Sequence, residues 1–376
     1  MSKINTNQRF MDKPLRKPRI LVAPLDWGLG HATRCIPIIR ELQRQGAEVL
    51  VAAENPQLDL LQEEFPSLSF LALKGYQVKY ARTGAGLLLS MFRQSRKILS
   101  AIKQENSWLK EMVTTHNLDA VISDNRYGLY HTTIPAVFIT HQLTIKSPLG
   151  KWTEKLLQRK NYNYINRFTE CWVPDIQQEE KSLAGVLSHP EKKPAVPVDY
   201  IGSLSRFETG NETTKKNHLL IVLSGPEPQR TLLEEKIIQE IVHYAHTATI
   251  VRGLPGSQSI IPSTGMIKFY NHLPAAALNK EMEQAEYVIS RSGYSTIMDL
   301  MKLKKKSILI PTPGQTEQEY LGNYLSNKQW LVSVSQKDFS LSASLKKANE
   351  LVYQFPDLQA NQNLELAITR LLDNCG

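Results

Sequence analysis

Short apolar runs recur along the chain, and each is followed by a polar turn and then by residues at helical spacing. Arg19–Ala23 is the first such run, set between Pro18 and Pro24. A brief apolar run between turn residues reads as a strand buried on both faces. It leads into Pro24-Leu25-Asp26-Trp27-Gly28-Leu29-Gly30-His31. The stretch from Ala32 to Gln45 follows, with Ile36, Ile39 and Leu42 at helical spacing and a stop signal at Gly46. Glu48–Ala53 is the next strand. Strand, glycine loop, helix and strand in that order predict a parallel, doubly wound opening. Asp119–Ser123 and Pro135–Ile139 extend the sheet, and the short runs Cys171–Asp175 and Val198–Gly202 close it.

The pattern then restarts. Ser203 to Asn217 is polar and reads as an interdomain linker. Beyond it His218–Leu223, Thr247–Val251, Met266–Tyr270, Tyr287–Ser290, Ile308–Pro311 and Leu331–Val334 read as strands. Helices are predicted from Thr231, over Ala275–Gln284, after Gly293 and over Leu364–Leu372. The expected fold is therefore α/β, with two doubly wound, Rossmann-like domains facing a cleft. Residues 18–205 form the first, 216–350 the second, and 351–376 a C-terminal helical segment.

Composition narrows the class. The 376 residues exceed what one core usually supports, and 41% hydrophobic with 22% charged residues suits a water-soluble globular chain. Cys35, Cys171 and Cys375 form no CxxC pair, which argues against a disulfide framework or a structural zinc site and favours a reducing, cytoplasmic setting. The polar, basic start, Met1 to Lys17, lacks the apolar centre of a secretory signal and reads as a disordered tail. An excess of 45 Lys and Arg over 36 Asp and Glu, a net +9, attracts anions. No nucleic-acid module accompanies that charge, so nucleotides and anionic lipid remain as partners. The basic, apolar stretch 82–103 suits contact with an anionic membrane as well as core packing, and Lys146 to Lys160 can extend the same surface.

Candidate chemistry gathers where parallel strands end, since ligands bind at the carboxyl edge of such sheets. In the first half the strand ends carry Asp26, Gly28, Gly30 and His31, then Asp124, then His141 and Gln142. In the second half they carry Ser224 with Arg230, Tyr270, and the turn Arg291-Ser292-Gly293 opening a helix through Thr296 and Asp299. A helix start offers free N–H groups and partial positive charge, a natural seat for phosphate. Gly293 is expected to permit a tight turn and a close backbone approach, and Ser292, Ser295 and Thr296 to start the helix. Asp299 can accept two hydrogen bonds from a ribose diol. The Pro-rich loop after the next strand supplies Gln318 and Glu319.

These motifs resemble the C-terminal domain of the family 28 glycosyltransferases, the MurG-like GT-B enzymes. The likeness lies in Arg291-Ser292-Gly293, Thr296, Asp299, Pro311-x-Pro313, Gln318-Glu319-Tyr320 and Asn323. It extends to Ser224-Gly225 with Arg230 and to Phe269-Tyr270-Asn271-His272-Leu273. Gly28-x-Gly30-His31 and His141-Gln142 are similar to motifs of that family's first domain. The resemblance implies a GT-B fold, a UDP-sugar donor (GlcNAc in the MurG branch), an acceptor that is lipid-linked or part of the cell envelope, and inverting transfer without metal or cofactor. It implies that Asp299 holds the ribose, that Ser292, Gly293 and Thr296 line the pyrophosphate beside Arg230 and Ser224, and that the Tyr270 backbone reads the uracil. It further implies that Gln318 and Glu319 contact the sugar and that His31 sits by the acceptor. Glu319 stands where the MurG branch carries Gln. His31 suits the general base, with Asp26 and Asp124 as carboxylate alternatives.

Gly28-Leu29-Gly30-His31-Ala32-Thr33-Arg34-Cys35 also resembles the opening of the UDP-sugar hydrolase of pseudaminic-acid synthesis, in which water is the acceptor. A non-catalytic nucleotide-sugar-binding protein is the third reading. Oligomeric state is not encoded in any of these motifs.

Overall fold

In the computed structural model, which describes residues 16–76, 84–210, 213–358 and 362–375, each strand pairing is parallel. The first sheet comprises β1 (Arg19–Pro24), β2 (Glu48–Ala53), β3 (Ser69–Ala72), β4 (Ala120–Asp124), β5 (Ala136–Ile139), β6 (Glu170–Val173) and β7 (Val198–Tyr200), in the order β3-β2-β1-β4-β5-β6-β7. The second comprises β8 (Leu219–Val222), β9 (Ala248–Val251), β10 (Ile267–Tyr270), β11 (Tyr287–Ser290), β12 (Lys306–Leu309) and β13 (Val332–Ser333), in the order β10-β9-β8-β11-β12-β13. Strand order reverses between β1 and β4 in one sheet and between β8 and β11 in the other. Chains leaving such neighbouring strands diverge and leave a crevice. Register places the functional loops there: Pro24 lies opposite Asp124, Asp124 opposite Ile139, and Ser290 opposite Val222.

Ten helices are described: α1 (Leu29–Arg44), α2 (Gln57–Glu64), α3 (Gly84–His116), α4 (Lys151–Ile165), α5 (Gln229–Ile241), α6 (Ala275–Gln284), α7 (Tyr294–Lys302), α8 (Thr316–Asn327), α9 (Leu341–Glu350) and α10 (Gln362–Asp373). Periodicity had marked α1, α5, α6, α7 and α10. It did not mark α2, α4, α8 and α9, or β3, a short edge strand, and Gln318 and Glu319, expected in the Pro-rich loop, lie instead in α8. Ala32, Ile36 and Ile39 of α1 share one apolar cluster with Leu183, Leu187, Tyr294, Ile297 and Met298. The two halves are therefore packed together, with α1 against α7.

Two boundaries differ from expectation. The start of the linker is not a free polar tether: Ser203, Leu204, Ser205 and Phe207 are buried, because Leu204 and Phe207 join the shared cluster. The C-terminal segment returns to the first domain. Leu364, Ala367, Ile368 and Leu371 of α10 form an apolar stripe that α1 covers. Asn363 Nδ2 donates to the Tyr200 carbonyl at 3.1 Å, and Arg370 meets Asp199 at 2.9 Å.

Of the basic stretch 82–103, residues 82 and 83 and the side chains up to 96 lie outside the described residues. Beyond them Ile102 and Leu109 of α3 face the core. Among the described residues no helix is long and apolar enough to cross a membrane.

Candidate active site

The first-half cluster follows from the register. β1 delivers the chain to Gly28, whose φ of +88° suits glycine, and α1 begins at the next residue. His31 stands in the first turn of α1, and Arg34 stands one turn later on the same face. Both reach Asp124 at the end of β4. His31 Nδ1 lies 3.1 Å from Asp124 Oδ2, Arg34 Nε donates to the same oxygen at 2.7 Å, and Arg34 Nη2 pairs with Oδ1. Arg34 Nη2 also lies 2.9 Å from His31 Nδ1, and Nη1 lies 3.3 Å from His141 Nδ1. His141 follows β5, the neighbour of β4.

The second half enters the same cluster. His141 Nε2 lies 2.7 Å from Glu317 Oε1, in the first turn of α8. The His141 ring stacks on Tyr294 at 4.0 Å between centroids, with an interplanar angle of 8°. Tyr294 opens α7 and donates to the Pro174 carbonyl at 2.7 Å. Ser295 Oγ donates to the Gly30 carbonyl at 2.9 Å, and a Cβ on Gly30 would lie 2.7 Å from that hydroxyl. Gly30 is thus fitted to the approach of α7; in this closed arrangement it faces the partner domain, where the sequence had suggested a ligand.

Burial and charge set the protonation states. Burial would raise the Asp124 pKa, but Arg34 and then His31 outweigh it and hold it at about 2. Burial lowers the His31 pKa, Arg34 lowers it further, and Asp124 only partly opposes them. Burial likewise opposes ionisation of Glu317, yet His141, His31 and Arg34 bring its pKa below the usual range. Asp26 turns toward another loop, its Oδ1 accepting the Tyr76 N–H at 3.1 Å. Gln142 uses its backbone: its N–H donates to Thr140 Oγ1 at 3.1 Å, and its carbonyl accepts from Asn161.

In the second half, Gly293 has φ −71° and ψ 137°, an ordinary extended conformation, so the tight-turn explanation fails there. A Cβ at Gly293 would meet nothing within 4 Å, so the space in front of it is open. The serines also act differently from expectation. Gly293 is the N-cap, Ser292 Oγ donates to the Gln318 carbonyl at 2.8 Å, and Ser295 serves the domain contact. Thr296 is half-buried in the first turn of α7. Gln318 Oε1 accepts the Thr312 N–H at 2.9 Å, and Glu319 Oε1 accepts the Gly314 N–H at 3.0 Å, which shapes the loop between β12 and α8. Ser224 is exposed after β8, and the Tyr270 carbonyl accepts the Arg252 N–H at 2.8 Å.

Arginines at the edge of the second sheet differ in how they are balanced. Arg230 is balanced within its own domain: it donates to Glu227 at 2.6 Å, Glu234 at 3.1 Å, Thr231 at 2.7 Å and the Arg252 carbonyl at 3.3 Å. Among the described residues Arg291 bonds only carbonyls, of Gln229 at 2.6 Å, Ile310 at 3.2 Å and Pro311 at 3.3 Å. Burial lowers its pKa to about 10, and among the described residues no carboxylate pairs with it. Arg291 Nε and Thr312 Oγ1 are buried without partners, and both face Gly225, whose Cβ would stand 4.0 Å and 3.6 Å from them. An unbalanced buried cation beside an unpartnered hydroxyl is an arrangement an anion completes.

Asp299 is covered. Its Oδ1 accepts from Ser205 Oγ at 2.6 Å, and Arg206 Nε lies 3.9 Å from Oδ2. Arg206 also lines a cavity of about 240 Å³ between Glu63 and Glu64 of α2 and the His272–Pro274 segment. That volume is below the roughly 300–1,000 Å³ of ordinary ligand pockets, and Asp299 itself lies buried beneath Ser205 and Arg206. Sequence reasoning missed Glu317, Tyr294 and the Ser205–Arg206 contact, which arise only from packing between distant segments. Arg34 was legible in principle, three residues after His31.

Residues 265–370 match the glycosyltransferase family 28 C-terminal domain. The chain is 23% identical over 343 residues to the UDP-N-acetylglucosamine--N-acetylmuramyl-(pentapeptide) pyrophosphoryl-undecaprenol N-acetylglucosamine transferase of Glaesserella parasuis, covering 86% of this chain and 87% of that one. It is 22% identical over 379 residues to the first of the enzymes of that name in Bacillus cereus, covering 94% of each. Among solved structures the glycotransferase of kitacinnamycin superposes with a TM-score of 0.62 at 13% identity, covering 96% of each chain, and shows the GT-B fold.

Burial raises the Asp299 carboxyl from 3.8 to about 6, against the pull of Arg206 and Ser205. A raised acid binds its proton more tightly in the folded state, so stability falls as pH rises from about 3.8 through about 6 and stays reduced above. Asp299→Asn is expected to stabilise the ligand-free protein at pH 7.5 by up to roughly 3 kcal/mol, with little gain at pH 4. Denaturant melts at the two pH values measure this; equal effects at both would contradict it.

Proposed function

We propose that this family 28 glycosyltransferase of GT-B fold moves a hexose, GlcNAc in its relatives, from a UDP-sugar to an acceptor hydroxyl at a membrane surface, with inversion and without a metal ion. The observation that carries the reading is the anion pocket formed by Arg291, Thr312 and the Gly225 turn beside the open start of α7. Loss of the nucleotide breaks the bond between the anomeric carbon and the β-phosphate oxygen. Electrons move onto the phosphate as positive charge grows on the sugar. The Arg291 guanidinium and the α7 N–H groups are fixed in a buried site where they stabilise that negative charge without reorganising.

The remaining roles follow the placement of each residue. Ser292, Gly293 and Thr296 line the diphosphate, with Ser224 at its margin. Arg230, already matched with carboxylates, braces the loop through Glu227. Asp299 exchanges Ser205 for the ribose hydroxyls when the halves part, and the backbone around Tyr270 meets the uracil. Gln318 and Glu319 face the sugar. The acceptor oxygen attacks from the face opposite the nucleotide, and its proton passes to His31 Nε2 while Asp124 stabilises the imidazolium through Nδ1.

A membrane-side acceptor is supported by α4 and the turn before it. Leu149, Trp152 and Leu156 are 66%, 75% and 56% exposed, interleaved with Lys151, Lys155 and Arg159. Apolar residues on one side of a basic helix fit an anionic lipid surface. The same loop reaches the cleft: the Lys146 carbonyl accepts from Thr316, next to Glu317, at 3.1 Å. The names of the relatives specify a polyprenyl pyrophosphate acceptor, which such a surface suits. The protein accordingly works at the cytoplasmic face of the membrane.

A panel of UDP-sugars tested by thermal shift is expected to contain one that raises Tm in the presence of a chelator, since a ligand that binds only the folded state stabilises by mass action. Arg291→Ala is expected to weaken that donor at least tenfold, about 1.4 kcal/mol. No shift with any uridine diphosphate sugar, or a strict need for magnesium or manganese, contradicts the reading. Vesicle flotation tests the membrane surface. Binding to anionic vesicles is expected to fall several-fold in Trp152→Ala/Leu156→Ala, and unchanged binding argues against α4.

A further inference from the structure

His31 Nδ1 faces two partners that make opposite demands. Asp124 Oδ2, at 3.1 Å, is an acceptor and calls for a proton on Nδ1. Arg34 Nη2, at 2.9 Å, is a donor and calls for a lone pair there. One tautomer cannot satisfy both. Arg34 is held firmly: it is buried, it grips Asp124 through Nε and Nη2, and its Nη1 lies 3.3 Å from His141 Nδ1. Asp124 already has its charge met by Arg34. His141 fits the arrangement in one form, with Nδ1 accepting from Arg34 and Nε2–H donating to Glu317.

We propose that Arg34 is a positioning residue that locks the His31 tautomer. In the closed, ligand-free cleft Arg34 Nη2 donates to His31 Nδ1, and the ring proton sits on Nε2. His31 then has no lone pair on Nε2 with which to take a proton, so the base stays masked until the halves part. When Arg34 Nη2 leaves Nδ1, the ring gives its Nε2 proton to a water molecule and takes one from water on Nδ1, which donates to Asp124. Nε2 becomes the base and the net proton count is unchanged. Arg34 from α1, Cys35 beside it with Sγ 3.9 Å from Asp124 Oδ2, Asp124 from β4, His141 after β5, Tyr294 from α7 stacked on His141, and Glu317 from α8 are the titratable and charged groups of this cluster. Glu317 belongs to the donor-binding half, so parting the halves loosens His141 and, through it, Arg34. This inference rests on the reading of His31 as the proton-handling group.

Long-range ¹H–¹⁵N spectra of the full chain labelled in histidine test it, with the His31 signals assigned by His31→Gln. The ligand-free protein at pH 7.5 is expected to carry the His31 proton on Nε2. In Arg34→Lys, whose ammonium pairs with Asp124 but cannot also reach Nδ1, the proton is expected on Nδ1. An Nδ1–H tautomer in the parent protein, or an unchanged tautomer in Arg34→Lys, overturns the proposal. If Arg34→Lys does not fold, the parent spectrum decides alone. If the parent shows Nε2–H but His31→Gln transfers sugar at the full rate, the lock stands as structure and the catalytic reading of His31 fails.

Discussion

A single ionised carboxylate, Asp124 at the end of β4, holds the centre of this molecule in order. A buried charge survives only when paired and hydrogen-bonded. Here the pairing draws in Arg34 and His31 from one turn of α1. Arg34 in turn faces His141, and His141 reaches Glu317 across the domain boundary. Four separate segments are fixed by one charge. The parallel sheet puts that charge where it is needed, because the register sets Asp124 beside the exit of β1.

The domain seam is built from the same helix starts that serve chemistry. The first turns of α1 and α7 meet, with Ser295 bonded to the Gly30 carbonyl and Tyr294 stacked on His141. Ser205 and Arg206 cover Asp299, and a small cavity lies beside Arg206. The costs visible in the ligand-free protein therefore sit at the positions assigned to the donor. Asp299 is a carboxylate with a raised pKa, and Arg291 is a cation without a matching anion among the described residues. Buried groups left unbalanced in this way are stabilised when a ligand of opposite character arrives, which links marginal local stability to binding.

Much of the architecture was legible in the sequence. Apolar runs ending in Gly, Ser, Asp or His marked the strands and the carboxyl edges, since a strand buried on both faces has little choice of composition. The turn at Arg291–Gly293 and the convergence of His31, Asp124 and His141 on one sheet edge were readable for the same reason, while the bonding of His31 to Asp124 was not. The rest depended on contacts that leave no local trace. Nothing about Glu317 distinguishes it from a solvated acid until α8 is laid against His141. The role of Gly30 emerged only from the nearness of Ser295, and Gly293 proved ordinary in conformation and open in front. The polar stretch Ser203–Asn217 looked like a tether because its two apolar residues, Leu204 and Phe207, were outnumbered, although those two decide its placement.

The account depends most directly on Asp124 serving the chemical step rather than donor binding. The decisive measurement is the single-turnover rate of sugar transfer by Asp124→Asn at saturating donor, with donor affinity measured on the same sample. The account predicts a rate lower by roughly 10²–10⁴ with donor affinity within a few-fold of the parent. A rate close to the parent, or a loss confined to donor affinity, would contradict it.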